Sequence, residues 1–196
     1  MKLKLFEKSV LIALIIAIFL GCIDFSNKCE NIRNSVFRLH ILANSDSEYD
    51  QQLKLKVRDK LLQKGLMVFE DSKSLEQTIS IANENVDSFL SVAKQVLREN
   101  GCNYEVSAKV TDAYFDTRTY QNTTLPAGVY KALQIKIGTA RGRNWWCVMY
   151  PSICISAATT DEVLEIQEND IVSNKPKYQI RFKIVEWFEA LKHYIN

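Results

Sequence analysis

VFRLHILA, Val36 to Ala43, alternates well enough to read as a strand. Phe37, Leu39, Ile41 and Ala43 fall on one side and are all apolar. Val36, Arg38, His40 and Leu42 fall on the other and are mixed. The first set predicts a core-facing side and the second a side in contact with something polar. NSDSEYD follows, with Ser47 and Asp50 at the spacing of a capping box. In QQLKLKVRDKLLQKG, Leu53, Val57 and Leu61 recur every fourth residue among good helix formers, which predicts a helix over 48–64 closed by Gly65. A strand, a polar turn and an amphipathic helix therefore open the folded part.

Ser74 and Gln77 suggest a second capping box. Leu75, Ile79, Ala82, Val86, Phe89, Ala93 and Val96 continue as one apolar stripe until Asn100-Gly101, predicting a single long amphipathic helix. Beyond it the composition turns to β-branched and aromatic residues over Tyr104 to Tyr120. Turn chemistry at Pro126-Ala127-Gly128 precedes alternation through Val129, Leu133, Ile135 and Ile137. GTARGRN makes a further turn, and Trp145 to Met149 a short strand. Consecutive strands with short links predict an antiparallel meander. The expected class is α+β: an N-terminal strand, two amphipathic helices, a β-meander and a C-terminal helix.

The chain of 196 residues begins MKLKLFEKSVLIALIIAIFLGC. Lys2, Lys4 and Lys8 precede an unbroken apolar run, Val10 to Leu20. Eleven apolar residues fall short of the roughly 20 that span a bilayer, and fit the apolar core of an export signal. Residues 1–23 read as an export signal or membrane anchor, with Cys22 a possible lipidation site. The polar stretch 24–35 reads as a tether. The chain carries 25 Lys and Arg against 23 Asp and Glu. Three of the former and one of the latter lie in the first 21 residues, so the rest is formally neutral. That argues against nucleic acid as a partner. The folded domain is expected over 36–155. An acidic linker follows over 156–178, then an amphipathic helix over 179–196 that docks on the sheet through Ile180, Ile184, Trp187 and Leu191.

No nucleophile elbow, HExxH, CxxC, P-loop or GxGxxG occurs, and no metal or cofactor is expected. His40 and His193 are the two histidines, and a histidine in an alternating strand is more often a half-exposed sheet residue than a base. GTARGRN has glycines and cations suited to an anion, but a sharp turn explains it more simply. Cys147 and Cys154, with Pro151 between them, lack the spacing of a metal or redox pair. Outside the cytoplasm they would be oxidised to a staple worth about 2–3 kcal/mol; two buried reduced thiols are the alternative. Trp145 and Trp146 are adjacent on a strand and must point to opposite faces. One belongs to the core, and the other is a binding anchor or lies under the terminal helix.

Three segments carry a resemblance. VFRLHILANSDSEYDQQLKLKVRDKLL, LPAGVYKALQIKIGTARGRNWWCVMYPSIC and RFKIVEWFE look like stage II sporulation protein R of endospore-forming bacteria, over residues 36–155 and 180–190. The resemblance implies a signalling protein that is not an enzyme. Such a protein is made in the forespore and exported into the space between the forespore and mother-cell membranes. There it activates a membrane-embedded aspartic protease, the sigma-E processing peptidase, which cleaves pro-sigma-E. The expected receptor surface combines the end of the FRLHILANSD strand with the NWW strand: Arg38, His40, Asn44, Asp46, Trp145 and Trp146. Two other readings are an envelope lipoprotein that binds a small ligand and an extracytoplasmic hydrolase using His40 or a free cysteine.

Overall fold

The protein is described from a computed structural model, over residues 4–120 and 123–151. Helix α1 spans Leu5–Arg33. Strand β1 (Phe37–Leu42) leads through a polar turn into α2 (Glu48–Val68), α3 (Leu75–Glu84) and α4 (Val86–Glu99). Strands β2 (Val106–Phe115), β3 (Arg118–Tyr120), β4 (Thr123–Leu125), β5 (Gly128–Ile137) and β6 (Asn144–Tyr150) follow. The main sheet has the order β2-β5-β1-β6, and β3 with β4 forms a separate two-stranded sheet.

The α+β class holds, with one difference from a consecutive meander. β1 inserts between β5 and β6, parallel to β5 and antiparallel to β6. The link between β5 and β6 must therefore stride across the C-terminal end of β1, about 10 Å at the usual strand spacing. Local alternation does not show this. A strand's neighbours are chosen by long-range packing, and β1 is apolar enough to be central.

The alternation in β1 is realised. Phe37, Leu39 and Ile41 are fully buried under the helices, packed with Leu53, Val57 and Leu61 of α2, Phe89, Ala93 and Leu97 of α4, and Leu133 and Ile135 of β5. Each such side chain contributes about 1.5–3 kcal/mol by leaving water. The Ser47 side chain caps α2 by accepting from Asp50 N, and Ser74 caps α3 by accepting from Gln77 N. Gly65 does not end α2, which runs on to Val68; Phe69 and Met149 pack where a Cβ at Gly65 would lie. The expected single second helix is broken at Asn85. Its side chain donates to the Ile81 carbonyl, and its backbone leaves helical geometry there, so it ends α3 and begins α4.

The stretch 24–35 is not an extended tether. α1 continues to Arg33, with Phe25, Cys29 and Ile32 buried. Their spacing puts them on one helix face, a signal obscured by the polar residues between them. Ile32 joins Val36, Phe115, Leu125, Tyr130, Ala132 and Val148 in a second, smaller core on the far face of the sheet. Gly128 makes that close approach possible: its φ is +144°, and a Cβ there would lie 2.6 Å from Arg33 Cδ. The acidic linker, the C-terminal helix and Cys154 lie outside the described residues.

Candidate functional site

The six candidate receptor residues separate into three environments. Asn44 and Asp46 belong to a clasp at the end of β1. The Asn44 side chain accepts from Thr139 N and donates to Asp50, while its carbonyl accepts from Thr139 Oγ1 and Arg141 N. Gly142 N donates to the Ala43 carbonyl, and Arg143 N to Asp46 Oδ1 at 2.6 Å. Lys54, buried on α2, donates to the Arg143 carbonyl. GTARGRN is thus the strap that crosses β1, and the NSDS turn supplies the acceptors its backbone needs. Both glycines matter: at Gly138 a Cβ would overlap the Asn44 side chain, and at Gly142 the Ser45 carbonyl.

Asp50 anchors the clasp. Burial pushes its carboxyl upward, but hydrogen bonds from Ser45, Asn44 and Ser47 outweigh that, and its pKa is held below the ordinary value.

Trp145 turns toward the helices, where the Arg58 guanidinium lies 4.4 Å from its ring centroid. Trp146 turns the other way and carries Arg118 over its ring at 4.3 Å. The opposite orientation of the two tryptophans is as expected for neighbours on a strand.

Arg38 and His40 share the face of Trp146, but neither is a surface group. Arg38 is fully buried. Its guanidinium lies 3.9 Å from the centroid of Phe115 and 4.8 Å from that of Tyr130, and Nη2 donates to the Tyr120 hydroxyl. Nε and Nη1 meet no acceptor. Burial lowers the pKa of Arg38, against the pull of Tyr120 and Tyr130. His40 is 9% exposed, and burial pushes its pKa down to about 4. The Asn144 side chain works against that shift, though no hydrogen bond reaches His40 Nε2, while Arg38 and Lys136 reinforce it. At neutral pH the ring is uncharged. Gln134 Nε2 lies 3.2 Å from His40 Nδ1. If Gln134 donates there, the ring proton sits on Nε2, a buried donor without a protein acceptor.

The ladders place these residues in rows. One row crosses all four strands: Lys109, Gln134, His40, Trp146. The next is Ser107, Lys136, Leu42, Asn144, and the one on the other side is Thr111, Ala132, Arg38, Val148. The Arg38 row is closed over by the second core. The Lys136 row is open: Ser107, Lys136 and Asn144 are exposed, as is Lys109 in the His40 row. Lys109, Gln134, Lys136 and Asn144 were not singled out from sequence. Their signal lay in the alternation of β2 and β5, but the pairing that aligns them with His40 is long-range.

No histidine, cysteine, aspartate or glutamate cluster able to hold a metal occurs among the described residues. The Gln134 side chain is the hydrogen-bond partner of the His40 ring, so neither a nucleophile nor an orienting carboxylate is assembled there. A groove of about 220 Å³ between α2 and α4 is lined by Lys60, Gln63, Lys64 and Met67 and holds no nucleophile with a base. Cys29 and Cys102 are buried, reduced cysteines. Cys147, buried on β6 beneath the helices, is disulfide-bonded.

Residues 33–160 match the family model of stage II sporulation protein R. The chain belongs to that family. It is 33% identical over 156 residues to stage II sporulation protein R of Bacillus subtilis strain 168, covering 78% of this chain and 70% of that relative. It is therefore a sporulation protein. No solved structure matches it. The matched region contains every element from β1 to β6, including the clasp and the three rows, and begins at the last residue of α1.

Proposed function

We propose that this family member is an exported sporulation signal that activates the membrane-embedded sigma-E processing peptidase and so triggers pro-sigma-E cleavage in the mother cell. The reading combines the role implied by the family resemblance with one observation, the division of α1 into two unlike halves. Along Val10 to Leu20 the described apolar side chains are exposed, Leu20 at 60%, and pack on no core. From Phe25 onward the same helix is built into the domain. No described helix is long and apolar enough to cross a membrane. An apolar run of eleven residues behind Lys4 and Lys8 is instead the length of a signal's apolar core. The sheet-and-helix body is the cargo, and it carries no assembled catalytic centre among the described residues.

In this reading Cys147 pairs with Cys154 in the oxidising space beyond the membrane. Peptide mapping without reductant checks the pairing: a linked Cys147–Cys154 peptide supports it, and a Cys147–Cys22 link refutes it.

The experiment that tests the function is reconstitution in a non-sporulating host. This chain is co-expressed with the peptidase and pro-sigma-E, with and without residues 2–23, and cleavage is followed on a gel. Cleavage that requires residues 2–23 is the expected result. No cleavage with all three proteins present and this one exported overturns the proposal.

A further inference from the structure

The sheet face opposite α2 and α4 has an unusual charge character. Its strand positions are Ser107, Lys109, Thr111, Ala113 and Phe115 on β2, and Gly128, Tyr130, Ala132, Gln134 and Lys136 on β5. On β1 they are Arg38, His40 and Leu42, and on β6 Asn144, Trp146 and Val148. Every charged residue among them is basic. Lys109 and Lys136 are diagonal neighbours across the β2–β5 ladder, within reach of each other for long side chains. Both are exposed, and neither amine meets an acceptor among the described residues. Elsewhere on the same pair of strands Lys131 is matched by Asp112 at 2.9 Å.

A second, independent observation is chemical. The buried polar atoms without a partner along this face are all nitrogens: His40 Nε2, Trp146 Nε1, and Arg38 Nε and Nη1. Buried groups of this kind are normally satisfied. Those of Arg38 and Trp146 are donors by their chemistry, and His40 Nε2 is one if Gln134 donates to Nδ1. These nitrogens lie beneath the surface, and the strand positions above them carry no acid.

We propose that the open end of this face, centred on Lys109 and Lys136, docks a carboxylate-bearing segment of a protein partner. The proposal rests on the signalling function above, which requires a protein receptor. A carboxylate supplies the counter-charge that the exposed Lys109 and Lys136 lack; the orphaned nitrogens of Arg38, His40 and Trp146 are buried beneath the contact. Leu42, half-buried beside Lys136 in the same row, adds an apolar contact next to the cations. The electrostatic part acts chiefly on the rate and specificity of encounter. The nearby acid Glu105 immediately precedes β2 and is exposed.

The test uses the full chain in the cleavage assay. Lys109→Glu with Lys136→Glu should lower pro-sigma-E cleavage at least tenfold while leaving the thermal midpoint unchanged, because both side chains are exposed. Lys60→Glu with Lys64→Glu, on the helical side, should stay within twofold of wild type. Equal cleavage by the sheet-face variant, or an equal loss in the helical one, overturns the proposal. The chain's own acids are the competing occupant. Changing Asp161, Glu162, Glu165, Glu168 and Asp170 to amides should leave cleavage intact; if it mimics the lysine reversal, the face belongs to the chain itself.

If the wild-type chain causes no cleavage, the function reading fails and crosslinking decides the docking inference. A photoreactive residue at Asn144 should capture a peptide of another protein bearing Asp or Glu. Capture of residues 152–196 of this chain, or of a peptide without acids, overturns it.

Discussion

The Tyr120 hydroxyl accepts a hydrogen bond from Arg38 Nη2 at 2.6 Å and lies 3.3 Å from the Trp146 carbonyl, to which it donates. One phenol thus ties the β3–β4 hairpin to β1 and β6. It is the polar side-chain partner of a buried guanidinium that has no carboxylate within reach among the described residues. Replacing a buried charge of this kind by an apolar side chain of similar length removes its desolvation cost, so Arg38→Met should unfold in urea within about 1 kcal/mol of wild type or above it. Tyr120→Phe leaves Nη2 orphaned as well and should cost about 1–2 kcal/mol. A loss of several kcal/mol in Arg38→Met would mean that the ring stacking and the Tyr120 bond outweigh desolvation.

Gly128 is required by its backbone and by its neighbour. Gly128→Ala places a Cβ at positive φ and against the stem of Arg33, which donates to the Ala127 carbonyl. The expected cost is about 2 kcal/mol or more, from strain together with loss of the α1 seat on the second core. Gly101, with φ +69° and open space around it, provides a control that should lose only the conformational part.

His40 gives the protein a pH dependence of known sign. Its pKa falls from 6.5 to about 4 on folding, so the folded state favours the neutral ring. The stability this provides is complete above pH 6.5 and is lost as the pH falls toward 4. Linkage puts the loss at about 2 kcal/mol by pH 5. Urea midpoints of wild type should decline across that window, and those of His40→Gln should stay flat. Parallel declines would assign the slope to other groups.

Asp50 holds the clasp, so Asp50→Ala should cost about 2–3 kcal/mol by orphaning donors of Asn44 and Ser45. Hydrogen exchange should then rise first at Thr139, Arg141 and Gly142, whose amides bond the β1 end. Uniform exchange across the sheet would show that the clasp and the core open as one unit.

What the sequence disclosed follows the range of the forces. The two faces of β1, the Ser47 and Ser74 caps and the opposed tryptophans depend on period and local hydrogen bonding, and all were legible. The place of β1 between β5 and β6 was not, because it is set by contacts roughly a hundred residues apart. That one pairing also decides the site. It makes Asn44 and Asp46 acceptors for a crossing strap, and it aligns Lys109 and Gln134 with His40. Arg38 and His40 were read onto the right face but given the wrong exposure. The end of α1 and the β3–β4 hairpin close over that half of the sheet, and neither announces itself in the strand pattern.

In the proposed function the folded body beyond the membrane is the signal and the N-terminal segment only delivers it. Replacing residues 2–23 by an unrelated cleavable export signal tests it most directly in the reconstituted cleavage assay. Pro-sigma-E cleavage at the wild-type level is the predicted result. Loss of cleavage by a protein that is exported and folded would place the signal in the apolar half of α1 and contradict the account.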